Sequence, residues 1–220
     1  MHQTANNVYY ISGVNPIIGL IQRVLLNTLT KTGGDELRHR VMDRAGVERD
    51  RQFRIDTNYS DTECLQLFAM AKEETGCSED ELFKLFATEF VSETRVIFPK
   101  FYEQCANSED FLRRQAAIHS LIGSSVRDEK QKQAINDKFK IEDSSPGNLM
   151  VHYNSPNKLC GLYHALAHSV ADSFGDKLTV RTVNCAKKNG KGTRCEFLVT
   201  WLRPVDTSTA DQTVTDARNK

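Results

Sequence analysis

Over the first hundred residues the apolar positions recur at intervals of three and four. Ile17, Ile18, Ile21, Val24, Leu25 and Leu29 form one stripe, which predicts a helix from Pro16, with proline in its first turn and an end at Gly33-Gly34. A second helix over 36–45 stops at Gly46, and 53–57 reads as a short extended piece. Asp61 precedes Cys64, Leu65, Leu67, Phe68 and Met70, so a third helix runs to about Thr75 with Gly76 as its stop. Ser78 followed three residues later by Glu81 is a capping box, opening a fourth helix through Leu82, Leu85, Phe86 and Phe90. Four helical segments therefore precede Pro99. Residues 1–15 are a polar lead-in ending at the turn signal Asn15-Pro16, with one short strand expected over 8–11.

Beyond Pro99 the helical period continues once more. Asn107 with Ser108, Glu109 and Asp110 supplies an N-cap and an acidic first turn for a helix on which Leu112, Ala116, His119 and Gly123 share a small-residue stripe. The charged residues 127–136 read as a loop or frayed turn. The period then changes to two: strands over 138–142 and 149–153 flank a turn that begins Asp143-Ser144-Ser145-Pro146-Gly147. A helix begins at Pro156, runs through Leu159, Leu162, Tyr163, Leu166, Ala167 and Val170, and closes near Gly175. Two more strands, 178–184 and 194–202, are joined by the turn-rich Lys187 to Gly192. Hairpins on both sides of one helix predict an α+β fold: a helical subdomain over about 16–97, then the His119 helix and an antiparallel four-stranded sheet with helices over about 98–204. The Thr- and Asp-rich tail, 205–220, is expected to be disordered.

Composition narrows the function. The chain has 220 residues, 39% of them hydrophobic, enough for one sizeable core. Lys+Arg and Asp+Glu are equal at 29 each, so no net field draws it to nucleic acid or to an anionic membrane. No apolar run approaches the roughly 18 residues of a membrane span, and the polar N-terminus lacks the features of a signal peptide. A cytoplasmic location is expected. The six cysteines, Cys64, Cys77, Cys105, Cys160, Cys185 and Cys195, form no CxxC pair and read as reduced thiols or metal ligands. No phosphate loop, nucleophile elbow or paired-carboxylate motif is present, and the chain is not read as an enzyme.

Two constellations carry candidate chemistry. His119 lies on an apolar helix face with Phe98, Phe101 and Phe111 close before it, a setting for a flat apolar cofactor whose iron takes an imidazole. The plainer alternative is a core histidine bonded to a backbone carbonyl. Cys185 and Cys195 flank the last hairpin loop, and Cys160 is on the helix that packs the sheet. The three are candidates for a zinc site, with His164 or His168 as a fourth ligand, or for separate buried small hydrophobes. His152 points to the sheet face opposite Tyr153 and is expected to be exposed; the basic loop 187–191 is expected to be a solvated turn.

The order of capped helix, Phe98-Pro99, Phe111-Leu112, His119 on a helix, hairpin, Tyr153-x-Ser155, helix and closing hairpin resembles the haem-nitric oxide/oxygen-binding (H-NOX) family, which includes the sensor domain of the soluble guanylate cyclase β subunit. The resemblance covers about Ile17 to Trp201. It implies that His119 is the proximal ligand of haem b, and that Tyr153 and Ser155 occupy the first two positions of a Tyr-x-Ser-x-Arg motif that grips the haem propionates. Asn157 stands at the arginine position, with Lys158 one residue late, so the bidentate cation of the family is missing. Oxygen-binding members place a tyrosine nine residues after the first motif tyrosine. Leu162 stands there, and Tyr163 is expected on a different helix face, so the resemblance implies preference for nitric oxide (or carbon monoxide) over oxygen. It further implies that nitric oxide weakens the iron–histidine bond and moves the His119 helix. Output would pass to a separate protein such as a histidine kinase or cyclase, making the chain a stand-alone sensor. Some bacterial members carry a zinc site with cysteines in this region. The rival reading is a haem-free binding module of the same fold, or a zinc/thiol redox sensor built on Cys160, Cys185 and Cys195.

Overall fold

The computed structural model describes residues 17–202, apart from residues 56, 125–128, 146, 155–156 and 191. The strand expected over 8–11, the tail over 205–220 and Ser155 lie outside the described residues.

A two-residue strand, β1 (Ile17–Ile18), pairs antiparallel with β2 (Asn58–Tyr59). The first helix accordingly starts at Leu20, after the isoleucines, and not at Pro16. This helix, α1 (Leu20–Arg44), passes through Gly33 and Gly34 as a kink: Gly33 lies at φ −145°, ψ 20° and Gly34 at φ 73°. The glycine pair bends one element where the apolar pattern suggested two, because only a residue without Cβ takes the left-handed step cheaply. α2 (Asp61–Thr75) ends on Gly76 at φ 67°, as its stop signal requires. α3 (Glu79–Ile97) has the capping box in full: the Ser78 hydroxyl accepts from the Glu81 N–H, and the Glu81 carboxylate accepts from the Ser78 N–H at 2.8 Å. After the short α4 (Pro99–Glu103), α5 (Ser108–Arg113) is capped by Asn107, whose Oδ1 accepts from the Asp110 N–H at 2.9 Å.

The helix expected to run from Asn107 through His119 is two. Arg114, at φ −85° and ψ 0°, separates α5 from α6 (Gln115–Ser124). Residues 127–136, read as a loop, contain α7 (Glu129–Asn136), which packs on α6. A Cβ at Gly123 would lie 2.8 Å from Asn136 Oδ1, so the small-residue stripe of α6 is where α7 crosses.

The four expected strands form one antiparallel sheet. β3 (Phe139–Ser145), β4 (Asn148–Asn154), β6 (Arg194–Trp201) and β5 (Leu178–Asn184) lie side by side in that sequence, all antiparallel. The register sets Tyr153 opposite both Phe139 and Cys195, and Val151 opposite Phe197. Alternate residues of β4 and β6 are buried, the signature of a sheet with one covered face. α8 (Cys160–Phe174) covers it; it starts at Cys160, four residues later than Pro156 suggested, and ends at Gly175. A short α9 (Ala186–Asn189) interrupts the last connection.

Two hydrophobic cores result. One joins α1, α2 and α3 around Leu25, Leu29, Leu67 and Phe86. The other lies between the sheet and α8, around Leu149, Val151, Phe197 and Val199. α8 contributes to both, with Leu162 in the helical core and Tyr163 in the sheet core. No described helix is long and apolar enough to cross a membrane.

Candidate functional site

A cavity of about 200 Å³ lies where the two cores meet. Leu20, Ile21, Phe90, Leu162 and Leu166 line it from the helical core, and Phe139, Tyr153, Tyr163 and Val170 from the sheet core. Phe98, Phe101 and Phe111, expected near the histidine, also line it. The capped α5, the joint at Arg114 and the packing of α6 on α7 and β3 aim His119 into this space. Its ring centroid is 4.7 Å from that of Phe139.

The His119 imidazole has no hydrogen-bond partner among the described residues, so the plainer alternative, a core histidine bonded to a carbonyl, is not what the geometry provides. Burial pushes its pKa down to about 3, with the charge of Lys138 acting in the same direction. A neutral imidazole with an unused ring nitrogen, facing an apolar space between aromatic walls, is the form in which histidine ligates iron. The residues present fit a flat, apolar, iron-bearing macrocycle.

The carboxylate grip is only partly where the motif suggested. Tyr153 lines the cavity, but Asn157 and Lys158 do not. Asn157 is half-buried, and Lys158 is exposed with a backbone φ of 56°, its carbonyl accepting from the Cys160 thiol at 3.6 Å. Among the described residues the basic side chain that lines the cavity is Lys138, the residue before β3, and burial lowers its pKa from the ordinary value. No sequence signal singled it out, because its position depends on strand register: the Asn154 N–H donates to the Lys138 carbonyl at 2.9 Å, which brings the lysine beside the motif.

Leu162 is buried and lines the cavity as expected, but Tyr163 lines it too. The expectation that one helical step would carry Tyr163 away fails, because α8 is wedged between both cores and shows the cavity an arc wider than one residue. The Tyr163 ring stacks on Phe197, with centroids 4.7 Å apart, and its hydroxyl is buried without a partner among the described residues. Burial pushes that hydroxyl's pKa up.

The three cysteines converge. The ligand atoms of Cys160, Cys185 and Cys195 lie within 4.8 Å of one another, with Cys160 Sγ to Cys185 Sγ at 3.6 Å and Cys195 Sγ to Cys185 Sγ at 3.9 Å. Burial pushes the Cys160 thiol up to about 12 and raises Cys195 as well. Burial also opposes ionisation of Cys185, but the backbone N–H of Lys188 and the neighbouring thiols outweigh it and hold its pKa below the ordinary value. Cys185 is therefore the thiol of the three that ionises most readily. Neither His164 nor His168 joins the cluster among the described residues; His164 Nε2 is 2.9 Å from Thr182 Oγ1 instead. One surface expectation is corrected, for His152; the basic loop is exposed over 187–190, as expected. His152 is half-buried between Glu142, at 3.2 Å, and Glu196, at 3.3 Å. Lys187 is pinned to Glu79 at 2.7 Å, tying α9 to the start of α3.

Known structures share this architecture. An oxygen-binding H-NOX domain related to soluble guanylate cyclases, solved as its oxygen complex, is 18% identical with a TM-score of 0.70, over 86% of this chain and 97% of that one. An H-NOX protein from S. oneidensis in the Fe(II)NO ligation state is 12% identical with a TM-score of 0.71, over 85% and 100%. A point mutant of T. tengcongensis H-NOX is 17% identical with a TM-score of 0.71, over 86% and 100%. No curated protein matches the chain. At these identities the likeness establishes the fold alone, but a family model for haem-NO-binding domains matches residues 18–182, well over half of the chain. The α+β architecture with its cavity between two cores is therefore that of a member of the haem-NO-binding, or H-NOX, family, to which this chain belongs.

Proposed function

We propose that this protein senses nitric oxide through a haem held by His119 and passes the signal to a partner signalling protein. The observation that carries the reading is the His119 ring: neutral, unpartnered among the described residues and turned into an apolar, aromatic-walled cavity. Haem would supply an iron that takes an imidazole nitrogen on one face and a diatomic gas on the other. His119 would hold the iron, and Tyr153 would stand beside a propionate. Leu162 and Leu166 would give the opposite wall no hydrogen-bond donor for a polarised oxygen ligand. α6 would act as the movable element, since His119 attaches it to the cavity while α7 and β3 support its other sides. The test is the absorption spectrum of protein expressed with ample haem. A Soret band that shifts with nitric oxide, is indifferent to oxygen and is lost in His119→Ala is expected. A colourless wild type would sink the reading in favour of a haem-free module. A stable oxygen complex abolished by Tyr163→Phe would place the polar donor at Tyr163 and overturn the assignment to nitric oxide.

A second reading concerns the cysteines and is favoured by their convergence within 4.8 Å. Three sulfurs at this spacing suit zinc, which would draw the thiols to thiolates. Titration with Cd²⁺ should produce a sulfur-to-metal charge-transfer band that Cys185→Ser removes; absence of the band in the reduced wild type would leave the three as packing residues.

A further inference from the structure

The described cavity lining contains one lysine, Lys138, and it is not a residue the family motif provides. His119 is neutral there, and the remaining polar groups of the wall, among them the Gln115 amide and the Tyr163 hydroxyl, carry no charge. Lys138 is surrounded by protein, and its ammonium has neither an acidic partner nor a hydrogen-bond acceptor among the described residues. The ionisable group that acts on its titration is Cys64 of α2, and burial pushes that thiol up to about 12, which leaves it uncharged. Burial pushes the lysine's pKa below its ordinary value, and a carboxylate brought beside it would favour the charged form. The lysine's backbone is fixed by the sheet: its carbonyl accepts from Asn154, and the next residue, Phe139, is in register with Tyr153 with ring centroids 5.0 Å apart. Lys138, at the entry to β3, and Tyr153 of the adjacent β4 therefore line the cavity together, while Asn157 and Lys158 stay outside its wall.

We propose that Lys138 supplies the cation that pairs with a carboxylate of the cavity ligand, taking over from the β3 edge the charge that Asn157 does not provide. The proposal rests on the haem reading, in which that carboxylate is a propionate. The lysine contributes a point charge and not a bidentate fork, so it recognises the charge of the carboxylate more than its orientation. It also makes the cavity selective for an acid over its neutral ester.

The test uses metal-free protoporphyrin IX and its dimethyl ester, which bind without iron ligation, followed by porphyrin fluorescence on the full-length ligand-free protein. Wild type should favour the free acid over the ester by about tenfold or more, and Lys138→Met should lose that preference while keeping the ester affinity. An unchanged preference in Lys138→Met would overturn the proposal and return the grip to the Asn157 side. If the methionine variant also loses the ester, Lys138→Gln is read in its place. Loss of the ester in both variants would make Lys138 a wall residue and end the proposal. Wild type that binds the acid through Lys138 but gives no Soret band with haem would defeat the haem reading and leave this one standing. Wild type that binds neither porphyrin would defeat both.

Discussion

The two cores share one cavity but contribute to it differently. The helical core offers mainly hydrocarbon: Leu20, Ile21, Phe90, Leu162 and Leu166 give the cavity shape, and Thr94 of α3 is the hydroxyl beside them. The sheet side brings groups that can form bonds, namely His119, Lys138, Tyr153 and Tyr163. One wall thus shapes the space, while the other carries the groups able to bond a ligand. A cavity between a sealed core and a chemically equipped one needs few special residues, because the apolar wall strengthens every electrostatic contact made by the other.

The comparison breaks first on stability. Phe86 is fully buried in the helical core away from the cavity, so Phe86→Ala should cost about 3–5 kcal/mol in denaturant unfolding. Phe101 is a half-buried cavity wall, and Phe101→Ala should cost about 1–2 kcal/mol, because the space it leaves joins one already present. Equal costs would mean that the cavity wall is packed as tightly as the core.

The chemical wall can be read by pH. His119 has a folded pKa of about 3 against an ordinary 6.5, so the unfolded chain takes up a proton that the folded one refuses. Its contribution to stability is fully present above pH 6.5 and is lost as pH falls toward 3. The slope is up to about 1.4 kcal/mol per pH unit. Urea unfolding of ligand-free protein at pH 7 and pH 5 should show this loss in wild type and a smaller one in His119→Leu. Identical losses would place the imidazole in water. The smallest effect belongs to the helical side: Ser78→Ala, which removes half of the α3 capping box, should cost about 1 kcal/mol in thermal unfolding. The nitric oxide spectrum should stay unchanged, since the cap is remote from the cavity.

How much of this was legible depended on the range of the cause. α2 and the capping box of α3 could be placed from Asp61, Gly76, Ser78 and Glu81 alone, because caps and stops are settled within one turn. The four strands followed from period-two alternation, and His119 from its apolar face. α7 was missed because its residues are charged, although Glu, Lys and Gln are good helix formers; what stabilises it is its seat against Gly123, which no local pattern reveals. The Gly33-Gly34 pair looked like a stop and is a bend, because α1 meets α3 before the kink, where Asn27 and Lys31 reach Glu93 and Glu89, and α2 beyond it, where Arg40 and Arg44 reach Glu74.

By itself the sequence determined most of the elements and the α+β order through periodicity and caps, and the candidacy of His119 through its apolar face, while Tyr153 and Leu162 were candidates through the family resemblance. The tertiary structure alone decided which charge enters the cavity. Asn157 and Lys158 are neighbours of the motif along the chain, whereas Lys138 reaches it through the pairing of β3 with β4. It also decided that Tyr163 shares the wall with Leu162 and that Cys160, Cys185 and Cys195 meet. The physical reason is the same in each case: strand register and helix packing join residues far apart in the chain, and both are fixed by burial of the two cores and not by any local preference.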